Sequence, residues 1–222
     1  MKYFLFDLDG TLTDPGVGIT NSVMYALEKL GRPVPPREEL YAFVGPPLTE
    51  SFVNLCGVPR EDAPLAIAYY REYFGPRGLL ENEIYPGIPE LLADIKAAGG
   101  KVILATAKPL HFAERILEHF NIKQFFDFTA GNNMTEKYKK KCGLIEDVLQ
   151  AAGVTPDNKK DCVMVGDRSH DVEGAHEAGI AGIGVLYGYG SFAELSACAP
   201  EYIARDVEEL RGIIMGLTDA RP

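Results

Sequence analysis

Two aspartates end an apolar run close to the start of the chain, in Phe4-Leu5-Phe6-Asp7-Leu8-Asp9-Gly10-Thr11-Leu12. An apolar run of this length before a glycine turn predicts a buried β-strand. Residues two apart face the same side of a strand, so Asp7 and Asp9 start from one face until Gly10 bends the chain. Two carboxylates this close need a cation, a shared proton or water. A plain Asp-Gly turn does not need two carboxylates on an apolar strand end, so the pair indicates a functional site.

A second acidic pair, Asp167 and Asp171, follows another apolar run at residues 163–165. In open parallel sheets, ligands bind outside the carboxyl ends of the strands, so we expect both acidic pairs on one edge of the sheet. Three or four carboxylates converging there would form an oxygen-rich site suited to Mg²⁺. Taken alone, Asp171 could instead cap the N-terminus of a helix.

Two weaker features complete the set of candidate residues. Thr106 ends the apolar run 102–105 and precedes a helical pattern that begins at Pro109. A hydroxyl and free backbone N–H groups at a helix N-terminus can bind phosphate, although threonine is also a common cap. The basic run contains Lys137, Lys139, Lys140 and Lys141, and most of it is expected to be a solvated face. Only Lys141 is selected, because it introduces the predicted helix 144–152.

Strand and helix patterns alternate along most of the chain. The predicted strands are residues 3–8, 101–105, 126–130, 161–165 and 182–186, and the predicted helices between them are 89–98, 109–120, 144–152 and 171–178. This alternation predicts an α/β fold with a doubly wound parallel sheet. Residues 15–85 do not follow this alternation, because they contain helical patterns at 19–30, 48–55 and 64–73 and no convincing strand. We therefore predict an α/β core of residues 1–14 and 86–222 and an inserted α-helical domain of residues 15–85.

Charge and composition exclude several classes of protein. The 222 residues include 22 Lys and Arg against 32 Asp and Glu, a net charge of −10, which argues against nucleic-acid binding. The first apolar run is too short for a signal peptide, and no stretch has the length of a membrane span. The four cysteines form no C-x-x-C pair, which disfavours a zinc site or a disulfide framework. We expect a cytoplasmic protein with no membrane partner; its oligomeric state is left open.

Taken in order, these features closely resemble the haloacid dehalogenase superfamily of aspartate-nucleophile phosphohydrolases. Its D-x-D-G-T-L signature matches residues 7–12, its strand-end Thr/Ser matches Thr106, its lysine matches Lys141, and its G-D-x-x-x-D signature matches residues 166–171. The resemblance covers the full chain and implies a Rossmann-like core with a helical cap. Within the superfamily the chain is most similar to the phosphoglycolate phosphatase group, through Gly45-Pro46-Pro47-Leu48 and Tyr187-Gly188-Tyr189-Gly190-Ser191.

The resemblance implies a Mg²⁺-dependent phosphatase that hydrolyses a small phosphate monoester. Asp7 would attack phosphorus to give an aspartyl-phosphate, and Asp9 would act as general acid and then general base. The resemblance assigns Mg²⁺ to Asp7, Asp9 and Asp167, with Asp171 supporting the metal directly or through water. Phosphate oxygens would be bound by Lys141, Thr106 and the backbone N–H groups of Leu8 and Ala107. Gly45 and Pro46 of the cap would contact the substrate beyond its phosphate.

Alternatives remain open from the sequence alone. A phosphosugar mutase would use the same core with a sugar hydroxyl in place of water, and a non-catalytic phosphate-binding or interaction module would keep only the scaffold. Asp9 separates the chain from dehalogenases and phosphonate hydrolases, which do not need an acid at this position. The resemblance leaves the substrate open among small phosphorylated acids such as phosphoglycolate, nucleoside monophosphates and pyrophosphate.

Overall fold

The computed structural model describes residues 2–133 and 140–219. The chain separates into two compact units, one formed by Met1–Thr13 and Ile84–Pro222 and the other by Asp14–Glu83. The functional division into a catalytic core of residues 1–14 and 86–222 and a cap of residues 15–85 stays a prediction.

The strands and helices have the following bounds. The strands are β1 (Tyr3–Phe6), β2 (Thr13–Asp14), β3 (Glu83–Ile84), β4 (Lys101–Pro109), β5 (Phe126–Asn132), β6 (Cys162–Gly166), β7 (Ala181–Val185) and β8 (Tyr202–Ala204). The helices are α1 (Gly16–Lys29), α2 (Arg37–Leu40), α3 (Leu48–Cys56), α4 (Ala63–Tyr73), α5 (Ile88–Ala97), α6 (Leu110–His119), α7 (Lys141–Ala151), α8 (Ser169–Glu177), α9 (Phe192–Ala197) and α10 (Val207–Asp219).

The first unit is built on a parallel sheet, which confirms the predicted α/β fold. Its six described strands lie in the order β5-β4-β1-β6-β7-β8, and every neighbouring pair is parallel. Helices flank the sheet, and β1 is wholly buried at Phe4, Leu5 and Phe6. Burial on both faces explains why the central strands read as continuous apolar runs without alternation. Because β1 lies between β4 and β6, the three segments that carry the candidate residues end side by side.

One core cluster holds the helices against these central strands. It includes Leu5 of β1, Ile103 of β4 and Met164 of β6, packed with Ile145 and Leu149 of α7. Packing α7 on this face fixes the start of the helix, where Lys141 lies, against the ends of the strands. The fold therefore positions the site through buried apolar contacts, which dominate the stability of such layers.

Several predicted boundaries were wrong. Strand β4 continues to Pro109 instead of ending at residue 105, because the residue before a proline favours an extended backbone, and here that residue is Lys108. Helix α7 begins at Lys141, three residues earlier than predicted. The prediction placed the start too late because Gly143, a poor helix former, weakens the helical pattern of the first turn. Strands β2, β3 and β8 were missed, since two or three residues are too short for a periodicity to be read.

The second unit is helical, with α1 to α4 and a π-helical turn, Phe74–Gly78. Tyr70 stacks on Phe74 with the ring centroids 5.3 Å apart, and both side chains are buried. Gly18 of α1 lies so close to the turn that a Cβ on it would meet the carbonyl oxygen of Gly78. This close approach explains why a glycine stands at position 18 of α1 despite the low helix propensity of glycine. None of the helices formed by residues 2–133 and 140–219 has the length and apolar character needed to cross a membrane.

Candidate active site

A buried lysine joins two carboxylates at the carboxyl edge of the sheet. The Lys141 Nζ lies 3.0 Å from Oδ1 of Asp7, the residue after β1, and 2.7 Å from Oδ1 of Asp171, in the first turn of α8. All three side chains are buried. Beyond these ion pairs, the three atoms have no hydrogen-bond partner among the described residues. Buried polar atoms in this state are characteristic of a site that receives a ligand.

Asp171 also has a local structural role. Its Oδ2 accepts a hydrogen bond from the backbone N–H of Arg168, at 3.2 Å. Arg168 is the N-cap residue of α8, so Asp171 occupies the third helical position and is not itself the N-cap. The alternative that Asp171 only caps the helix is therefore incomplete, because its other oxygen faces Lys141.

Asp167 lies in a pocket of backbone atoms formed by three glycines. Its Oδ2 accepts a hydrogen bond from the backbone N–H of Tyr189 at 2.8 Å, and its Oδ1 lies 3.5 Å from the hydroxyl of Thr11. A Cβ added to Gly10 would lie 2.1 Å from Oδ2 of Asp167, and a Cβ added to Gly188 would lie 2.6 Å from the same atom. A Cβ added to Gly190 would lie 1.9 Å from the backbone carbonyl oxygen of Asp167. The loop after β7 therefore surrounds this carboxylate.

Asp9 is paired with a second lysine that follows Thr106. The Lys108 Nζ donates to both carboxylate oxygens of Asp9, at 2.9 and 2.7 Å. The side chains are 6% and 13% exposed, so the pair is largely shielded from water. The hydroxyl of Thr106 accepts a hydrogen bond from the backbone N–H of Lys108 at 3.3 Å, which leaves its own proton available to another group.

The pKa values reflect an excess of buried negative charge. Burial raises the pKa of Asp7, with Asp171 acting in the same direction and Lys141 opposing them. Burial also raises the pKa of Asp167 well above its usual value, reinforced by Asp171. Burial alone would raise the pKa of Asp171, but Lys141 and His170 together lower it. Burial alone would lower the pKa of Lys141, but Asp171 and Asp7 raise it, so these carboxylates hold the lysine in its charged form.

A metal ion could be held at this edge of the sheet. Potential ligand atoms of Asp7, His170 and Asp171 lie within 4.8 Å of one another. Asp167 lies outside this trio, although the charges of Asp171 and Asp7 both raise the pKa of Asp167. The carboxylate of Asp9 is also outside the trio and is bound to Lys108. The imidazole of His170 is the one nitrogen ligand in the trio, and carboxylate oxygens are the ligands that hard cations prefer.

The predicted site residues of the first unit thus fall into neighbouring groups. They are Asp7 with Lys141 and Asp171, Asp9 with Lys108 beside Thr106, and Asp167 with Thr11 and Tyr189. Leu8 is buried directly after Asp7, and Ala107 is exposed between Thr106 and Lys108. Gly45 and Pro46 belong to the second unit, and their contact with substrate stays a prediction. Of the other lysines in the basic run, Lys137 and Lys139 lie outside the described residues, and Lys140 is exposed and pairs with Glu177 at 3.2 Å.

Sequence reasoning missed Lys108 as a site residue. Its spacing of two residues from Thr106 is a weak signal, because the pairing of the strand shifts between Thr106 and Pro109 and regular alternation does not hold there. His170 is a second residue that sequence reasoning did not select, and its Nε2 lies 3.7 Å from Oδ1 of Asp171. Its position between Asp167 and Asp171 was the only sequence signal for it.

Comparison with known proteins gives consistent matches. Residues 4–185 match the family model of haloacid dehalogenase-like hydrolases. The 5'-nucleotidase of Pseudomonas aeruginosa is 41% identical over 210 residues, which cover 95% of this chain and 94% of that protein. The phosphoglycolate phosphatase of Pseudomonas putida is 29% identical, with 98% and 80% covered. Tyrosine-protein kinase PtkA of Mycobacterium tuberculosis is 39% identical, with 93% and 70% covered.

A solved structure agrees with the sequence comparisons. The crystal structure of a predicted phosphatase from Clostridium acetobutylicum has a TM-score of 0.90 and 41% identity, covering 97% of this chain and 98% of that one. The fold, the matched residues and the relatives confirm the predicted resemblance. The chain belongs to the haloacid dehalogenase-like hydrolase family, and it is a phosphoric monoester hydrolase.

Proposed function

We propose that the protein hydrolyses a small phosphate monoester through an aspartyl-phosphate on Asp7. The observation that carries the proposal is the buried carboxylate of Asp7 at the end of β1, 3.0 Å from the charged Nζ of Lys141. A carboxylate oxygen of Asp7 attacks phosphorus, and the ester P–O bond breaks as the alcohol oxygen leaves. Water then attacks the phosphorus of the acyl phosphate, which releases inorganic phosphate and restores Asp7.

Asp9 moves the protons in both half-reactions. It gives a proton to the leaving oxygen, and in the second step it takes one from the attacking water, so the enzyme ends each turnover unchanged. Phosphate oxygens are bound by Lys141, Thr106 and the backbone N–H groups of Leu8 and Ala107, which oppose the charge that develops in the transition state. In support of this role, Lys141 is buried and held in its charged form.

The carboxylates at the site suit Mg²⁺. Asp7, Asp167 and Asp171 are buried carboxylates, and Lys141 pairs with Asp7 and Asp171. Burial and mutual repulsion raise the pKa of Asp7 and of Asp167. A divalent cation would balance this excess of negative charge, and the buried Oδ1 atoms of Asp7 and Asp171 lack hydrogen-bond partners among the described residues. When bound, Mg²⁺ neutralises phosphoryl oxygens. We assign it to Asp7, Asp167 and the backbone carbonyl of Asp9, with support from Asp171.

For the substrate we propose a nucleoside monophosphate or a phosphoglycolate-like acid. The support is the printed names of two relatives, 5'-nucleotidase at 41% identity and phosphoglycolate phosphatase at 29%. In this proposal the second unit is the cap, and Gly45 and Pro46 contact the part of the substrate beyond the phosphate. A cytoplasmic location, where such metabolites occur, remains part of the proposal.

The test compares Asp7→Asn with wild type. Phosphate release is measured from 5'-AMP, phosphoglycolate and p-nitrophenyl phosphate, with Mg²⁺ and with EDTA. We expect at least about a 1,000-fold loss of kcat in the variant, since an amide cannot attack phosphorus. Asp157→Asn, at an exposed residue of the same unit, is the matched control. Borohydride reduction of the wild type during turnover, followed by peptide mass spectrometry, should convert Asp7 to homoserine.

The outcomes separate the competing functions. Full activity of Asp7→Asn, or labelling at another residue, would contradict the covalent mechanism. Undiminished activity in EDTA would contradict the role of Mg²⁺. Transfer of the phosphoryl group to a second sugar phosphate instead of water would identify a mutase, and no turnover of any phosphate ester by the wild type would favour a non-catalytic module.

A further inference from the structure

We propose that Lys108 is the positioning residue for Asp9. Its Nζ contacts both carboxylate oxygens of Asp9, at 2.9 and 2.7 Å, so the carboxylate can rotate about its last bond only by losing one of these contacts. The inference rests on the proposed function of Asp9 as general acid and base. It goes beyond that function by naming the group that holds Asp9 in place.

The local backbone explains how Lys108 reaches the site. Strand β4 pairs with β5 in one register from Ile103 to Thr106, and the pairing then shifts before Pro109. The hydroxyl of Thr106 accepts the backbone N–H of Lys108 at 3.3 Å within this irregular segment. An irregularity of this kind redirects a side chain at the end of a strand, and here the redirected side chain is 6% exposed and directed at Asp9.

Each of the two aspartates in the first signature, Asp7 and Asp9, pairs with a different lysine. Lys141 is 3.0 Å from Asp7, whereas Lys108 is bound to Asp9. Asp9 is close enough to Asp7 for its charge to raise the pKa of Asp7. Lys108 therefore holds the Asp9 carboxylate in a fixed position beside Asp7, through contacts with both of its oxygens.

The first experiment compares leaving groups in Lys108→Met. Dinitrophenolate leaves without protonation, whereas the alkoxide of an alkyl phosphate needs the proton of Asp9. We expect kcat for the alkyl phosphate that wild type hydrolyses best, 5'-AMP or phosphoglycolate, to fall about 10- to 100-fold, part of the general acid–base contribution. The rate at which Lys108→Met releases dinitrophenolate in the first turnover should stay within about threefold of the wild-type rate. Its steady-state rate should be slower than this first turnover, because activation of water is impaired.

The second experiment is a double-mutant cycle with Asp9→Asn. If Lys108 acts through Asp9, adding Lys108→Met to Asp9→Asn should change kcat by less than about twofold. Lys101→Met is the matched control, because Lys101 is in the same strand and its Nζ pairs with Asp127 at 2.9 Å instead of the site. Its kcat should equal that of wild type, and Lys108→Arg, which keeps the charge, should recover part of the activity on the alkyl phosphate.

Specific results would overturn the proposal. One such result is that Lys108→Met lowers kcat/KM equally for both substrates by raising KM, and that the effects of Lys108→Met and Asp9→Asn multiply in the double-mutant cycle. Lys108 would then bind the phosphate directly. Thermal unfolding of each variant identifies any loss of folded protein, and the first-turnover rate on the dinitrophenyl ester reports on the folded molecules. Failure of the wild type to form homoserine at Asp7 after borohydride would instead contradict the proposed function, so the two failures are distinguishable.

Discussion

Replacing Gly188 by alanine tests whether the loop after β7 holds Asp167. A Cβ at Gly188 would lie 2.3 Å from the carbonyl oxygen of Gly10 and 2.5 Å from the Cβ of Asp167. Gly188 does not have the positive φ that favours glycine, so the cost of the substitution is one of space. The neighbours are backbone and a side chain that is itself buried, and neither can rotate away.

The distances give the size of the effect. Ordinary contact begins at 3.4 Å, so the loop must move by about 1 Å from Gly10. Overpacking of this kind costs about 1–3 kcal/mol. For a chain of this size, a cost of about 2 kcal/mol lowers Tm by about 4–8 °C. Because the displaced atoms include those of Asp167, the Mg²⁺ concentration needed for half-maximal activity should rise about tenfold.

Thermal unfolding and a Mg²⁺ titration of activity measure both effects. Gly212→Ala is the matched control, since a Cβ on Gly212 in helix α10 would meet nothing within 4 Å. That substitution should stabilise the protein by about 0.5–1 kcal/mol, because alanine is the better helix former. If Gly188→Ala unfolds within about 1 °C of wild type and has the same Mg²⁺ dependence, the loop does not hold Asp167 and our reasoning is wrong.

Four further predictions concern stability, reactivity and selectivity. Burial alone would raise the pKa of Asp127, but its lysine and N–H partners hold it below 3.8. Asp127→Asn should therefore lower the free energy of unfolding in urea by about 1 kcal/mol at pH 7. The difference in this free energy between variant and wild type should shrink as pH falls below 3.8. Burial raises the pKa of Cys162 to about 12, so iodoacetamide at pH 8 should label it only after denaturation, as peptide mass spectrometry would show; labelling of the native protein would contradict this. Replacing Pro46 and Pro47 with alanine should change the ranking of kcat/KM across phosphorylated metabolites while p-nitrophenyl phosphate changes little; one common factor for all substrates would argue against a selectivity role. Asp167→Asn should raise the Tm of the metal-free protein by about 2–4 °C and remove any rise in Tm on adding Mg²⁺, and a lower metal-free Tm would contradict it.

The order of the sheet shows what the sequence could and could not predict. Continuous apolar runs identified the buried strands, since burial on both faces removes polar residues from them. The neighbours of β1 are β4 and β6, which are about 100 and 160 residues away, and no local pattern encodes that pairing. The placement of the acidic pairs on one edge followed from a general rule for parallel sheets, because the carboxyl ends of such strands share an edge.

The partners of the site residues were harder to predict than the residues themselves. Asp7 and Asp9 were visible because carboxylates are rare at the end of an apolar strand. Lys108 was hidden because its reach depends on the irregular pairing after Thr106, which is a tertiary feature of β4 and β5. The glycine at position 188 was part of a recognised motif, yet its packing against Asp167 depends on a loop 21 residues later in the chain.

Among the described residues, Asp167 is the one of the four signature aspartates that forms no ion pair with a lysine. Asp9 is paired with Lys108, and Lys141 is shared by Asp7 and Asp171. Asp167 has the N–H of Tyr189 and a long contact with the hydroxyl of Thr11, and burial raises its pKa well above the usual value. An acid whose pKa is raised by folding favours the folded state below its unfolded pKa and loses that contribution as pH rises through the folded value. The metal-free protein therefore bears this cost near neutral pH, and a cation bound beside Asp167 removes it. Replacing Asp167 would relieve the same cost permanently but would also remove a proposed metal ligand, which is the trade of stability against activity that active sites commonly show.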